Sequence, residues 1–359
     1  MSPPHPWWNP ERHADRRSGL LARNRIKAAI RDWFDQQGFV EIEAGALVTS
    51  PGNETHLQAF RTDLTCPDGS TKPRYLHTSP EFAAKRLIAA GESKLFTFAP
   101  VFRNSERGPL HAPEFTMLEW YRAGPAANRY EMIQNDCMCL LSIAAAATGR
   151  TDWTWRNRTC EATAAEVVKT VPGLFADLFG IDLQASFIDA IPDRDGLAAA
   201  ACGVDIACVA DETWGDIFSK LMVEAERRYP GLPELRTPDN KERPLILDQF
   251  PAVMSPLARP LPCDPRFAGR FEVFAAGIEL ANGFAENTDA EQVRRGLDAE
   301  MAEKQRLYGE RYPVDDDFIA ALSMMPSGTA GCALGFDRLV MLATGATHID
   351  QIIWTPIPQ

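Results

Sequence analysis

The sequence predicts an α+β fold, a mainly antiparallel β-sheet flanked by helices. Two observations carry this reading. β-type runs cluster in two stretches, around residues 95–121 and 244–284, while helical periodicity fills much of the remainder. No internal repeat or low-complexity linker divides the 359 residues, so the chain reads as one domain with an inserted helical section.

Taken in order, residues 1–17 are rich in Pro, Trp and charge and read as an irregular arm. From Leu20 to Gln37 the apolar positions Ile26, Ile30, Trp33 and Phe34 recur at helical spacing, and Gly38 supplies the stop. Phe39, Ile42 and Leu47 then belong to an extended segment. Ser79-Pro80-Glu81 opens a second helix, with Ser79 as N-cap, Pro80 at the first helical position and Gly91 beyond the end. Leu95–Phe102 and Phe115–Tyr121 are β-type runs around a polar loop, RNSERGPLHAPE. Arg129 to Ala147 carries Tyr130, Ile133, Cys137, Leu140, Leu141 and Ala144 as an apolar helical stripe. Residues 150–243 are less regular, with one clear helix around Thr213–Tyr229, and are expected to form a helical insertion. Pro244–Phe250 and Phe271–Phe284 are β-rich, Asp289 starts a long polar helix, and GCALGFDRLVMLATG closes with a Gly-rich strand and a short helix.

Composition removes several function classes. Lys and Arg number 37 against 49 Asp and Glu, a net charge of -12, which disfavours a protein that mainly grips nucleic acid. The longest apolar run, Leu140–Ala147, falls far short of the ~20 residues of a membrane span. The start of the chain has no apolar core of a secretory signal. Eight cysteines show no CxxC pairing, so a zinc ribbon or disulfide scaffold is not expected, and reduced thiols in the cytoplasm are. GxxxxGK[ST], strand-coupled GxGxxG, HExxH and GxSxG are all absent. A nucleotide would have to be held by another route.

Three segments carry chemistry. Strand alternation puts Phe115, Met117, Glu119 and Tyr121 on one face: an aromatic plate able to stack on a base, then a carboxylate and a phenol able to hold an ammonium group. The plainer alternative is an amphipathic strand around a satisfied core glutamate. In FEVFAAGIELANGFAE, a hairpin about Ala275-Ala276 with Phe274 facing Gly277 sets Glu272 opposite Glu279. Opposed like charges destabilise a ladder, and a Mg²⁺ ion shared with substrate phosphates would resolve the conflict; two solvated edge glutamates are the alternative. Asn282, Phe284 and Glu286 share a face of opposite parity to Glu279, so a shared site requires a bulge, which small Ala281 and Gly283 would permit. In the last segment Gly331 and Gly335 permit close backbone approach to a ligand. Asp337 is placed as an N-cap, and Arg338 in the first helical turn suits a terminal phosphate.

Together with Arg103, these segments resemble a known family. FRNSERGPLHAPEFTMLEWYR is similar to motif 2, and GCALGFDRLVMLATG to motif 3, of the class II aminoacyl-tRNA synthetases. TSPEF, FPAVMSPLAR and GIELANGFAENTDAEQ resemble the lysyl-tRNA synthetase branch, and the likeness runs from about residue 18 to the end. Lysyl-tRNA synthetases carry an anticodon-binding OB domain ahead of the catalytic domain, for which the sequence before residue 20 leaves no room. The resemblance is therefore to the free-standing paralogues, the elongation factor P–(R)-β-lysine ligase family. It implies a class II synthetase-like catalytic domain over 18–359, ATP and Mg²⁺ as cofactors, and a homodimer. It also implies activation of (R)-β-lysine, with α-lysine left open as an alternative, and transfer to elongation factor P rather than to tRNA.

By the same resemblance Arg103 and Arg338 are the catalytic residues, Arg103 holding the α-phosphate and the new acyl carbonyl. Arg338 and His111 match positions at the outer phosphates, and Phe115 the position that stacks on adenine. Asn104, Ser105, Glu106, Ala112, Leu280 and Gly335 fall in the ATP-site motifs, and Glu272 and Glu279 match the metal-binding carboxylates. Ser79, Pro80, Glu81, Glu119, Tyr121, Asn282, Phe284, Glu286 and Ala333 match the amino-acid pocket, Ala333 being the ligase-type residue where lysyl-tRNA synthetases have Gly. Three departures stand out. Ser105 replaces the usual carboxylate of motif 2, with Glu106 next to it. Ala112 replaces an Asn, and the segment EIEAGAL lacks the motif 1 proline. Two rival readings are a minimal lysyl-tRNA synthetase and a catalytically inactive regulatory binding protein.

Overall fold

The computed structural model describes residues 6–124 and 129–358. Helix α1 runs Pro10–Gln36, so regular structure begins inside the segment expected to be an irregular arm, of which residues 1–5 lie outside the described residues. The reason is local. The Asn9 side chain accepts hydrogen bonds from the backbone N–H groups of Glu11 and Arg12 at 3.0 and 3.3 Å, and Pro10 takes the first helical position, where no N–H is needed. Two short strands follow, β1 (Val40–Glu41) and β2 (Leu47–Val48). With β3 (Arg61–Thr65) and β4 (Thr71–Leu76), β2 builds a small three-stranded sheet. All five residues of β3 are exposed, which is why the sequence shows no alternation there.

Helix α2 (Glu81–Ala89) leads into the long antiparallel pair β5 (Lys94–Phe102) and β6 (Glu114–Arg122), and then α3 (Arg129–Thr148). The expected helical insertion proves mixed. It contains the hairpin β7 (Asp152–Trp155) and β8 (Arg158–Glu161), strand β9 (Val167–Thr170) and helix α4 (Val171–Phe179). A two-residue-per-strand pair, β10 (Phe187–Ile188) and β11 (Ile191–Pro192), precedes α5 (Arg194–Cys202) and α6 (Trp214–Arg228). The predicted helix is α6, started by a capping box in which Thr213 and Asp216 satisfy each other's backbone N–H groups. The chain continues through β12 (Leu245–Pro251), β13 (Pro260–Leu261), β14 (Asp264–Ala275) and β15 (Ile278–Ala285). It ends with α7 (Ala290–Tyr308), α8 (Asp316–Leu322), β16 (Ala330–Gly335) and α9 (Phe336–Thr344).

The main sheet runs β1-β5-β6-β16-β15-β14-β12-β9, with β13 on β14. Only its outermost pairs, β1–β5 and β12–β9, are parallel, so the sheet is mainly antiparallel as expected. One face is buried under α1, α3 and α9 in a core that includes Ile26, Phe34, Cys137, Leu141, Trp120, Phe271 and Leu339. A second core, with Phe175, Trp214, Phe218 and Leu221, packs α4, α5 and α6 against the β12 end, so the inserted region is fastened to the sheet itself. On the opposite face α2, α7 and α8 cluster around Leu95 and Tyr121 at one end only. The second core covers the β12 end of the same face through Leu245, Leu247 and Phe274, and the stretch between the two is left open.

Candidate active site

Four neighbouring strands put side chains on the open face in rows. Glu119 on β6 stands opposite Ala333 on β16, Ala333 opposite Asn282 on β15, and Asn282 opposite Glu272 on β14. The adjacent row reads Tyr121, Gly331, Phe284, Arg270. Small residues on the central strand keep the floor low. A Cβ on Gly331 would lie 2.3 Å from the Tyr121 ring and 2.7 Å from a Glu286 oxygen, so this glycine makes room for its neighbours rather than for a ligand. The resulting cleft holds about 820 Å³, within the usual range for small-molecule sites.

The hairpin between β14 and β15 turns one residue later than expected. Ala276 and Gly277, with φ of 49° and 76°, form a two-residue loop, and Glu272 pairs with Asn282 instead of Glu279. The expected bulge is present, but at Leu280: Val273 pairs with Ala281 and Phe274 with Glu279. That extra residue restores the parity, and Glu279, Asn282 and Phe284 all line the cleft beside Glu272.

At one end of the cleft lies an acidic pocket. Ser79 and Tyr121 donate hydrogen bonds to the two oxygens of Glu119 at 2.6 and 2.8 Å. The Ser79 hydroxyl also accepts from the Glu81 N–H at 3.0 Å, and Pro80 rather than Ser79 stands at the N-cap of α2. Burial, reinforced by the Glu81 charge, pushes Glu119 up to about 8 against the pull of its two donors. Burial likewise holds the Tyr121 phenol well above its ordinary range. Glu286 is 1% exposed; burial raises it to about 7, while Lys85 opposes the shift. Asn282 leaves its carbonyl oxygen unpartnered. Lys85, itself 1% exposed, pairs with Glu286 at 2.6 Å and with Glu81. Burial works against its charge, and the two carboxylates outweigh burial, so its pKa is raised. Sequence reasoning missed Lys85, although its i,i+4 spacing from Glu81 was a usable signal.

The other end is basic. The Arg103 guanidinium lies 5.3 Å over the Phe115 ring and reaches Glu106 at 3.9 Å. Arg338 donates to the Glu279 carbonyl at 2.9 Å and to His111 Nε2 at 2.8 Å. Burial and the Arg338 charge lower the His111 pKa, which keeps the ring a neutral acceptor. Leu280 and Gly335 also line the cleft. Asp337 is not an N-cap, since Gly335 holds that position. It is buried against Arg23 and accepts from the Thr116 N–H at 2.8 Å, fixing the start of α9 to β6. Three expected ATP-site side chains lie elsewhere. Ala112 packs into the core, Asn104 accepts from the Ser105 N–H at 2.9 Å, and Ser105, at φ 65°, turns out to Gln58. Glu106, in contrast, does line the cleft.

The residues present fit a divalent cation. Burial and the charge of Glu279 raise Glu272 to about 8, and Arg270 at 2.7 Å is its one ion-pair partner among the described residues. No group of three or more His, Cys, Asp or Glu is gathered to hold a metal by protein alone among those residues. Two carboxylates completed by substrate phosphates is the arrangement Mg²⁺ favours.

Comparison with known proteins agrees with this geometry. The family model described as tRNA synthetases class II (D, K and N) matches residues 7–359. The chain belongs to the class II tRNA synthetase family. Among its class II relatives it is 36% identical over 338 residues to a Haemophilus ducreyi protein named elongation factor P–(R)-β-lysine ligase, covering 93% of this chain and 92% of that one. Proteins of the same name from Vibrio vulnificus and Proteus mirabilis are 33% and 32% identical, each covered over 95% of its length. In this class II domain the two sequence segments identified as motifs 2 and 3 are the adjacent strands β6 and β16, which explains why they had to be read together.

Proposed function

We propose that the protein is an ATP-dependent, AMP-forming ligase that activates (R)-β-lysine and transfers it to the ε-amino group of a lysine on elongation factor P. One observation carries the reading. Glu81 and Glu119 line a single cleft with Arg103, His111 and Arg338, and Tyr121 and Glu286 stand buried behind them, tied in through Glu119 and Lys85. A substrate with two ammonium groups loses several kcal/mol of hydration unless its charges are paired, and the cleft-lining carboxylates of Glu81 and Glu119 with the unpartnered carbonyl oxygen of Asn282 offer that pairing.

In the first step the substrate carboxylate attacks the α-phosphorus of ATP, giving an acyl-adenylate and pyrophosphate. Arg103 is positioned to oppose charge on the α-phosphate and the acyl carbonyl, and Arg338 with neutral His111 to hold the outer phosphates. Glu272 and Glu279 would hold Mg²⁺, which when bound neutralises phosphate charge. Phe115, covered on one side by Arg103, offers its ring to the adenine. In the second step the acceptor amine displaces AMP, and no enzyme nucleophile is needed. A homodimer, implied by the family, completes the proposal.

The deciding experiment is incubation with ATP, (R)-β-lysine and elongation factor P, read by intact mass. A gain of one lysyl unit is expected; an unchanged mass overturns the acceptor. Charging of total tRNA with labelled lysine would instead establish the minimal synthetase. Absence of ATP–pyrophosphate exchange with every lysine isomer would leave only the binding protein.

A further inference from the structure

The segment from Ser50 to Leu57 has no regular structure except one bridge-forming neighbour, yet it is pinned along its length. Asn53 receives a hydrogen bond from Ser50 at 3.2 Å and donates to the Pro313 carbonyl at 3.2 Å. The Thr55 N–H and hydroxyl both bond Glu300 of α7 at 3.0 Å. Lys304, fully buried, donates to the carbonyls of Thr55 and Leu57 at 3.0 and 2.6 Å. Gly52, at φ +124°, lies so close to Thr78 that a Cβ would meet its hydroxyl at 2.9 Å, and that hydroxyl donates to the Pro51 carbonyl at 2.8 Å. Arg103 reaches toward the Thr78 carbonyl at 3.5 Å, so the loop is fastened beside the residue expected at the reacting carbonyl.

Within this rigid loop Glu54 projects into the cleft. Every other carboxylate lining the cleft has a partner. Glu81 is held by Lys85, Glu119 by Ser79 and Tyr121, and Glu272 by Arg270. Glu106 and Glu279 reach Arg103 and Arg338 at 3.9 and 4.0 Å. Those on or beside α7, α8 and α9 are tied to Thr55, Arg86 and Arg23. Glu54 alone among them makes no hydrogen bond or ion pair with the described residues. It faces Arg103, Arg270, Glu81 and Glu300. Its side chain is open to water in the cleft, but enclosure by the walls raises its pKa; Arg103 opposes this and Glu81 and Glu300 add to it.

We infer that Glu54 is the general base of the second step, the group that takes the proton from the incoming acceptor lysine. The inference rests on the two-step ligase reading. A lysine side chain, with an ordinary pKa near ~10.4, arrives as an ammonium ion that cannot attack. Glu54 attracts that cation past the neighbouring Arg103 and Arg270 and takes its first proton. The freed lone pair then forms the C–N bond with the acyl carbon as the C–O bond to AMP breaks. AMP leaves with the bonding electrons, and the second nitrogen proton goes to its phosphate or to water.

The test separates the two steps in Glu54→Gln. With wild type and variant loaded as adenylates, single-turnover transfer to elongation factor P is expected to fall about 100-fold or more, and far further than ATP–pyrophosphate exchange. Transfer to hydroxylamine, an amine already neutral at neutral pH, is expected to stay near the wild-type rate. The deficit toward lysine should narrow between about pH 7 and about pH 9 as the acceptor sheds its own proton. Glu54→Asp should recover part of the loss. Equal loss in exchange and transfer, equal loss toward both amines, or undiminished transfer each overturns the assignment. A wild-type protein that forms the adenylate but never modifies elongation factor P overturns the functional reading instead.

Discussion

Glu119 and Glu286 are carboxylic acids whose pKa values are raised from the ordinary 4.5 to about 8 and about 7. The folded protein therefore holds their protons more tightly than the unfolded chain. The stability they contribute is complete below about pH 4.5 and is lost as pH climbs through 7 and 8. An ammonium ligand reverses the preference by favouring the ionised form. Binding of (R)-β-lysine near neutrality should thus expel protons and tighten between about pH 6 and about pH 8. Titration calorimetry in two buffers of different ionisation heat measures this directly, and proton uptake would contradict it. Lys85 is the internal counter-ion of the same pocket. Lys85→Met leaves two buried acids uncompensated and should cost about 3–5 kcal/mol in urea unfolding, with part recovered when Glu286→Gln is added.

At the level of elements, β16 matters for what it omits. Its cleft-facing positions are Gly331, Ala333 and Gly335, while Cys332 and Leu334 fill the core behind. Gly331→Ala would drive a methyl group into the Tyr121 ring and Glu286. The expected result is at least a tenfold loss of (R)-β-lysine-dependent exchange, with ATP affinity changed far less. The helices could be read from periodicity because α3, α6 and α7 each bury one face, whereas β5, β6 and β12 bury neighbouring residues on both faces and read as apolar β-type runs. The cleft face of β6 was equally readable, since alternation alone groups Glu119 with Tyr121. What escaped was set by tertiary contact. The wholly exposed β3 has no pattern, and the Ser50–Leu57 loop is shaped by α7 and Thr78 rather than by its own sequence. The resemblance placed Arg103 and Arg338, but nothing in the chain announced Glu54 or the position of the bulge.

Across the whole molecule, the net charge of -12 does not measure the site. Four of the cleft acids, Glu81, Glu272, Glu106 and Glu279, sit beside Lys85, Arg270, Arg103 and Arg338, so the local balance differs from the global one. The fold also divides into regions where chain length is free and regions where it is fixed. An insertion in the exposed Pro67-Asp68-Gly69 turn between β3 and β4 touches no core and should leave exchange intact. Leu280 is a second place of the first kind, inside a strand. Its side chain belongs to the core, where another apolar residue can serve. Removing it sets Glu279 directly before Ala281, and plain alternation then keeps Glu279 on the face of Asn282, so both the deletion and Leu280→Met should retain most of the exchange activity. The bulge absorbs an odd residue that the metal-binding face does not require, and a gap there in a relative would be no sign of lost metal binding, whereas a changed glutamate would.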